Sequence, residues 1–235
     1  MTRLTDGLDG PGILSELNGP SPVTVVAFGG LTTEGAVPAF EFFRFLSDFG
    51  TNYVLLRDHE QAWYQRGVRG VATTALGVGD YLRELLGPER LAHSVFTGGS
   101  MGGYVALFLG SRLGVAEVQA FAPQTFISRL LRHHYKDFRW QKQINRTWAQ
   151  TPRRDAHFDI KRSLRRASRN GVALHVHVGE DRIDLCHARR ISRIRGVDIH
   201  QYSDVGAHNV ARTLRDSGRL SAILDEALVR AAGRS

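Results

Sequence analysis

Short apolar runs rich in β-branched residues recur along the chain, and segments of helical length separate them. The runs occupy positions 23–28, 53–56, 92–96, 118–121, 172–178 and 197–202. Runs that are apolar throughout are typical of parallel strands covered by helices on both faces. The helix-length segments cover 37–49, 71–86, 101–113 and 209–232. This alternation predicts an α/β fold with right-handed βαβ units in one twisted, mostly parallel sheet of about six strands.

One interval breaks the alternation. About fifty residues separate the run ending at Phe121 from the one starting at Val172, which is too long for a simple crossover. Helical patterns at 126–145 and 159–168 lie within it. We expect residues 1–235 to form one α/β domain in which 126–170 is a helical cap over the carboxyl ends of the strands, where ligands bind in such sheets.

The positive charge of the chain is concentrated in that interval. Of its net charge of +8, residues 126–170 contribute +10, with thirteen Lys or Arg and three Asp or Glu, and the remainder carries −2. Basicity confined to one insertion argues against general nucleic-acid binding and favours a local role. The cap arginines, with Arg129 and Arg132 as the named candidates beside Arg153 and Arg154, are expected to attract an anionic substrate or an acidic carrier. The alternative is a solvated helical surface.

A glycine-rich hexapeptide carries the strongest functional signal. Gly98-Gly99-Ser100-Met101-Gly102-Gly103 follows a predicted strand, opens a predicted helix and matches G-x-S-x-G. Small residues are needed there because the chain turns sharply, and the turn leaves the serine Oγ projecting above the sheet. Ser100 is therefore the predicted nucleophile. The spacings of dinucleotide-binding and P-loop motifs are absent from this stretch.

The base and acid should follow later in the chain. His208 lies just after the last predicted strand and directly before the closing helix, the position of a base that takes the serine proton. An acid that orients His208 is expected after the strand at 172–178. Asp181 is the first choice, Asp184 is next by a small margin, and Glu180 is third; the unused aspartate is expected to cap the following helix.

Two further groups of residues complete the predicted site. The oxyanion hole requires backbone donors, for which Met101 and the loop residues Gly30 and Leu31 are the candidates. Trp63 and Tyr64, beyond the second predicted strand, are candidates for lining the substrate pocket, and a packed loop is the equally weighted alternative.

Taken together, these motifs resemble the α/β-hydrolase superfamily over nearly the whole chain. The matching features are GGSMGG at 98–103, the loop at 28–31, GEDRID at 179–184 and GAHNV at 206–210, and the tract SMGGYVALFLG followed by FAPQT resembles small bacterial serine hydrolases of esterase type. The family's sheet has eight strands, of which this chain is expected to lack the first antiparallel ones. The resemblance implies hydrolysis of a carboxylic ester or thioester through a Ser-His-Asp triad. The alternatives are an acyltransferase with the same triad and a non-catalytic polyanion-binding protein.

Other features of the sequence bear on the compartment, the substrate and the cofactors of the protein. The single cysteine excludes an internal disulfide, and neither a signal peptide nor a membrane-spanning run is evident, so we expect a cytoplasmic protein with no membrane partner. A small-molecule or carrier-bound acyl group is the expected substrate, with no organic cofactor. His175 and His177 share a strand face, but no third ligand accompanies them, so no metal site is expected.

Overall fold

Seven strands form a single sheet in the computed structural model, which describes residues 10–31, 46, 50–206 and 208–234. The strands are β1 (Ile13–Glu16), β2 (Thr24–Phe28), β3 (Asn52–Leu56), β4 (Ser94–Gly99), β5 (Glu117–Phe121), β6 (Ala173–Val178) and β7 (Val197–Gln201). Their order is β1-β3-β2-β4-β5-β6-β7, with β1 antiparallel to β3 and all other neighbours parallel. The predicted α/β class is confirmed, and the carboxyl ends of the parallel strands meet at one edge.

The sheet has one strand more than the sequence predicted. The strand β1 pairs with β3 in antiparallel register, Ile13 opposite Leu56, whereas we expected the antiparallel edge to be missing. Only four residues long and exposed at its second half, β1 lacks the apolar run that marked the other strands. The strands β2, β4 and β5, by contrast, are buried along their whole length.

Eight α-helices accompany the sheet within the described residues. They are α1 (Ala75–Ala92), α2 (Met101–Leu113), α3 (Arg129–Tyr135), α4 (Gln141–Gln150), α5 (Lys161–Leu164), α6 (Arg182–Ile191), α7 (Val210–Asp216) and α8 (Arg219–Ala232). The predicted helix at 37–49 lies outside the described residues except at Leu46. The predicted helix at 209–232 is two helices, because Gly218 takes a left-handed φ of 76° between α7 and α8.

The core lies on both faces of the central strands. Every residue of β2, β4 and β5 is buried, and α2 is buried along eleven consecutive positions from Met101 to Ser111. A helix that is apolar on all sides belongs inside the protein, so α2 is sandwiched between the sheet and the helices outside it.

The connection between β5 and β6 is helical, as expected, but it is more broken than predicted. The expected helix at 126–145 divides into α3 and α4, because Lys136 and Trp140 have left-handed φ values of 56° and 53°. The second predicted helix is reduced to the single turn α5. Trp148 donates its indole N–H to the carbonyl of Ile127 at 3.1 Å, which ties α4 to the start of the connection. Among the described residues, none of the helices is both long and apolar enough to span a bilayer.

Candidate active site

Ser100 lies at the sharp turn between β4 and α2. Its φ of 51° and ψ of −113° are unfavourable for a residue with a side chain. The turn is anchored from both sides, because the Ser100 amide donates to the carbonyl of Phe121 at 2.8 Å and the Ser100 carbonyl accepts from Tyr104 at 3.0 Å. This backbone directs Oγ away from the sheet, as the sequence predicts for a nucleophile elbow.

The glycines around Ser100 are required by close backbone approach. A Cβ on Gly98 would lie 2.5 Å from the backbone carbon of Gly102, and a Cβ on Gly102 would overlap with the carbonyl oxygen of Phe28. The end of β2 therefore passes directly against the first turn of α2. Only a chain without side chains at these two positions can bring the three backbones together.

His208 is within hydrogen-bond distance of Ser100. Its Nε2 is 2.9 Å from the Ser100 Oγ, and its Nδ1 is 2.9 Å and 2.8 Å from the two carboxylate oxygens of Asp184. A carboxylate only accepts, so Nδ1 carries the ring proton and Nε2 accepts from the serine hydroxyl. The arrangement is the one in which an imidazole can take a proton from a serine.

The carboxylate beside His208 belongs to Asp184, whereas the sequence analysis favoured Asp181. Asp181 is the N-cap of α6, its Oδ1 accepting the backbone N–H groups of Ile183 and Asp184 at 2.9 Å and 3.0 Å. The helix begins at Arg182, so Asp184 lies in its first turn, fully buried and facing His208. The exposed Glu180 instead accepts from the Gln201 amide at 2.9 Å.

The loops that carry Asp184 and His208 are joined by their backbones. The amide of Glu180, just after β6, donates to the carbonyl of Val205, just after β7, at 2.8 Å. Gly179 lies so close to Val205 that a Cβ there would overlap with the same carbonyl. Since β6 and β7 are parallel neighbours, this contact brings the base and the carboxylate together.

The candidate oxyanion-hole residues lie around the same turn. Met101 is the first residue of α2 and is buried, and Gly30 and Leu31 follow β2, whose end contacts Gly102. The loop after β2 is therefore adjacent to the start of α2, as the prediction requires. Their role in binding an oxyanion stays a prediction.

Trp63 and Tyr64 are fully buried, so neither has an exposed face for a substrate. The Tyr64 hydroxyl is 3.1 Å and 3.0 Å from the carbonyls of Gly29 and Leu56, behind the end of β2. Tyr64 is therefore part of a packed loop, which was the alternative to a role in lining the pocket. The loop turns inward because the buried Asp58 carboxylate accepts three backbone N–H groups; burial raises the pKa of Asp58 to about 6, while those N–H groups oppose the rise.

Gln124 is a residue of the site that the sequence analysis missed. Its Oε1 accepts the indole N–H of Trp63 at 2.9 Å and lies 3.5 Å from the Ser100 Oγ. The indole donor fixes the orientation of this amide, and its Nε2, also buried, has no hydrogen-bond partner among the described residues. Gln124 follows β5 at the same sheet edge as Ser100, and that position was the signal available in the sequence.

A cap residue, Arg139, also binds Asp184. Its Nη1 donates to the Asp184 Oδ1 at 2.8 Å, and Nε and Nη2 bind Asp137 at 3.0 Å and 3.2 Å. No local pattern identifies this residue among thirteen cap cations, because its carboxylate partner lies 45 positions away.

The two cap arginines named as substrate ligands differ in their surroundings. Arg129 is exposed, with its guanidinium 5.0 Å from the centre of the Trp148 ring. Arg132 is buried, and its Nη2 donates to the carbonyl of Arg139 at 2.6 Å, so it does not belong to the cap surface. Its side chain supports the segment between α3 and α4.

A cluster of cations lines a cavity that does not include Arg129 or Arg132. Its volume is about 770 Å³, and it lies between α5 and the carboxyl-terminal half of α6. Six cationic side chains and no acidic one line it, namely Lys161, Arg165, Arg189, Arg190, Arg193 and Arg195. Arg190 also binds the Asp159 carboxylate at 2.8 Å and 2.6 Å. The cavity thus presents positive charge to an anion.

The two strand histidines are engaged with neighbouring side chains. His177 is buried between the Gln119 amide oxygen at 2.7 Å and the Tyr202 hydroxyl at 2.8 Å, and the His175 Nδ1 is 3.1 Å from the His200 Nε2. Across the described ranges, no group of three or more His, Cys, Asp or Glu is arranged to hold a metal ion.

Comparisons of the sequence alone find no relative: no family model matches the chain, and no curated protein does. Comparison of the structure with solved structures does find similar proteins. The chain is similar to the capsule O-acetyltransferase of Neisseria meningitidis serogroup A, with a TM-score of 0.67 and 16% identity over 91% of this chain and 90% of that one.

Two other solved structures are similar over almost their whole length. One is MenH from S. aureus, with a TM-score of 0.59 and 13% identity over 94% of this chain and 98% of that one. The other is a carboxylesterase structure from the thaumarchaeon Nitrososphaera gargenis, with a TM-score of 0.59 and 11% identity over 94% and 96%. At these identities the likeness shows the fold, and the fold is that of the α/β hydrolases.

Proposed function

We propose that this protein is a serine acyl-transfer enzyme that hydrolyses a carboxylic ester or thioester through an acyl-enzyme on Ser100. The observation that carries the proposal is the 2.9 Å contact between the Ser100 Oγ and the His208 Nε2, with Asp184 bound to the opposite ring nitrogen. A serine aligned with a neutral imidazole, itself oriented by a buried carboxylate, is the arrangement that activates a hydroxyl for attack.

The reaction would proceed in two steps. The Ser100 Oγ bonds to the substrate carbonyl carbon as its proton passes to the His208 Nε2, and the resulting oxyanion is held by the backbone N–H of Met101 and by N–H groups of the Gly30–Leu31 loop. The tetrahedral adduct then collapses, and the imidazolium returns its proton to the departing alcohol or thiol. Water activated by His208 adds to the acyl-enzyme and releases the acid, restoring Ser100.

Acyl transfer to a hydroxyl group is the second candidate. It uses the same acyl-enzyme and replaces water by an alcohol in the second step. The specific observation in its favour is the similarity to the capsule O-acetyltransferase, one structure of which is described in complex with CoA.

A fluorophosphonate probe tests the proposal directly, because it reacts with an activated serine and ignores a passive one. We expect stoichiometric labelling, mapped to Ser100 by peptide mass, together with turnover of p-nitrophenyl esters of short acyl chains. Ser100→Ala should lose labelling and several orders of magnitude in turnover. Ser203→Ala, an exposed serine in the loop that carries His208, should retain both.

Absence of labelling in the folded wild-type protein would overturn the proposal and favour the non-catalytic polyanion-binding alternative. Hydrolysis and transfer are separated by adding a polyol to the ester assay. A hydrolase releases acid at an unchanged rate, whereas a transferase converts the acyl group to the polyol ester and accelerates release of p-nitrophenol when acyl-enzyme breakdown limits the rate.

A further inference from the structure

The link between α3 and α4 is shaped to place one carboxylate and one guanidinium side by side. Lys136 and Trp140, at its two ends, take left-handed φ values of 56° and 53°. Between them the Asp137 amide donates to the Arg132 carbonyl at 2.9 Å, and the Arg139 amide donates to the Asp137 Oδ1 at 3.1 Å. The link is thus fixed by its own hydrogen bonds.

The Arg139 guanidinium joins two buried carboxylates. It binds both oxygens of Asp137 through Nε and Nη2 and one oxygen of Asp184 through Nη1 at 2.8 Å. The side chains of Asp137 and Asp184 are 4% and 0% exposed, so these contacts are weakly screened. Only an arginine has the planar fork that serves both partners at once.

A second histidine, His187, also binds Asp137. The fully buried His187 accepts the backbone N–H of Thr125 at Nδ1, at 2.9 Å, so its proton is on Nε2, which donates to the Asp137 Oδ2 at 3.0 Å. Burial lowers the pKa of His187 and keeps the ring neutral. Burial alone would raise the pKa of Asp137, but hydrogen bonds from His187 and Arg139 and the guanidinium charge bring it well below its ordinary value.

The guanidinium lies close to both Asp184 and His208. It orients Asp184, whose two oxygens hold the His208 Nδ1, and its own Nη1 lies 3.4 Å from that nitrogen. The groups facing this ring are Asp184 from α6, Arg139 from the cap and the Ser100 hydroxyl, and the Asp181 carboxylate lies 3.7 Å from the Arg139 Nη1.

We propose that Arg139 is a positioning residue for acyl transfer: it holds the Asp184 carboxylate in the orientation that His208 requires, and the buried Asp137–His187 pair holds Arg139. The cap is then part of the triad's support as well as a cover for the strand ends. This inference rests on the proposed function, since positioning matters only if Ser100 reacts.

The test compares Arg139→Gln, Arg139→Lys and a control, Arg169→Gln, which removes the same charge from an exposed position of the cap. The second-order rate of fluorophosphonate labelling is measured at one fixed pH, with kcat and KM for p-nitrophenyl acetate and the Tm of each variant. Arg139→Gln should label about 10- to 100-fold more slowly, in line with misplacement of a reacting group, and lower kcat more than it raises KM.

Arg139→Lys should remain about 10-fold slow, because an ammonium supplies the charge without spanning both carboxylates. Arg169→Gln should match the wild type. A wild-type labelling rate in Arg139→Gln would overturn the proposal, as would a rate loss equal to the loss of folded protein. If Arg139→Gln fails to fold, a wild-type rate in Arg139→Lys overturns it. A wild type that is itself unlabelled is a different result, which removes the proposed function.

Discussion

The His208 Nδ1 lies between the two carboxylate oxygens of Asp184, at 2.9 Å and 2.8 Å, while Asp181, three residues earlier, binds only backbone N–H groups and the edge of Arg139. One turn of α6 thus separates a carboxylate that faces the base from one that starts the helix. The two positions can be distinguished by substitution.

Asp184→Asn is expected to lower kcat by roughly four orders of magnitude, because an amide stabilises the wrong ring tautomer and no longer offsets the imidazolium charge. Asp181→Asn should retain most activity and stability, since asparagine is as good an N-cap as aspartate. The measurement is kcat for a p-nitrophenyl ester, with urea unfolding as the control for folding. The reverse ranking would assign the acid role to Asp181.

Gly102→Ala should destabilise the protein by about 1–3 kcal/mol or more, because the new Cβ overlaps with the Phe28 carbonyl and neither backbone can retreat. Gly233→Ala is the matched control: its Cβ would meet only ordinary contacts at 3.6 Å and beyond, and its change should stay within about 0.5 kcal/mol. Urea denaturation of both variants provides the comparison. Equal stabilities would mean that β2 and α2 are less closely packed than described.

The basic cavity predicts a preference for an anionic acyl carrier. Acetyl thioesters of phosphopantetheine and of uncharged pantetheine differ only in the phosphate, so their ratio of kcat/KM isolates its effect. We expect the ratio to exceed one and to fall as salt rises, because charge attraction is screened within roughly 10 Å at 0.1 M. Substituting Arg165 and Arg193 together by Gln should abolish the preference.

Substituting Arg153 and Arg154, two exposed cap cations outside that cavity, removes the same amount of charge from another place. If the preference survives this change, the cavity is the site; if this pair alone abolishes it, the steering residues are those that the sequence analysis named. A ratio of one at all salt concentrations would leave the charge of the cap without a role in substrate choice.

Stability should fall as the pH drops below about 6.5, and His177 contributes to that fall. Burial lowers the pKa of His177 well below its ordinary value, with the nearby His200 and His175 acting in the same direction. The unfolded chain therefore binds a proton at His177 that the folded protein does not bind. Each such group lowers the free energy of unfolding by about 1.4 kcal/mol per pH unit below the unfolded pKa, until the folded pKa is reached.

The corresponding variant is His177→Gln, in which the slope of the unfolding free energy between pH 7 and 5 should decrease by about that amount. His134→Gln, at an exposed position, should leave the slope unchanged. Urea titrations at half-unit pH intervals measure both. Equal slopes in the two variants would mean that His177 takes up its proton in the folded state.

Much of this molecule could be predicted from short stretches of sequence. The apolar runs located six of the seven strands, and GGSMGG placed Ser100 between β4 and α2, because strand formation and a sharp turn depend on neighbouring residues. The order of motifs also pointed to His208. The strand β1 was missed because an exposed four-residue edge strand has no comparable pattern.

The contacts of the candidate site were decided by the tertiary structure. Asp181 and Asp184 are both acidic residues after the same strand, and only the start of α6 at Arg182 turns one toward His208. Arg139 and Gln124 reach the site from segments distant in sequence, where no local spacing relates them to Ser100 or Asp184. Local patterns determine which residues form strands, helices and turns, whereas the partners of a buried charge depend on how those elements pack.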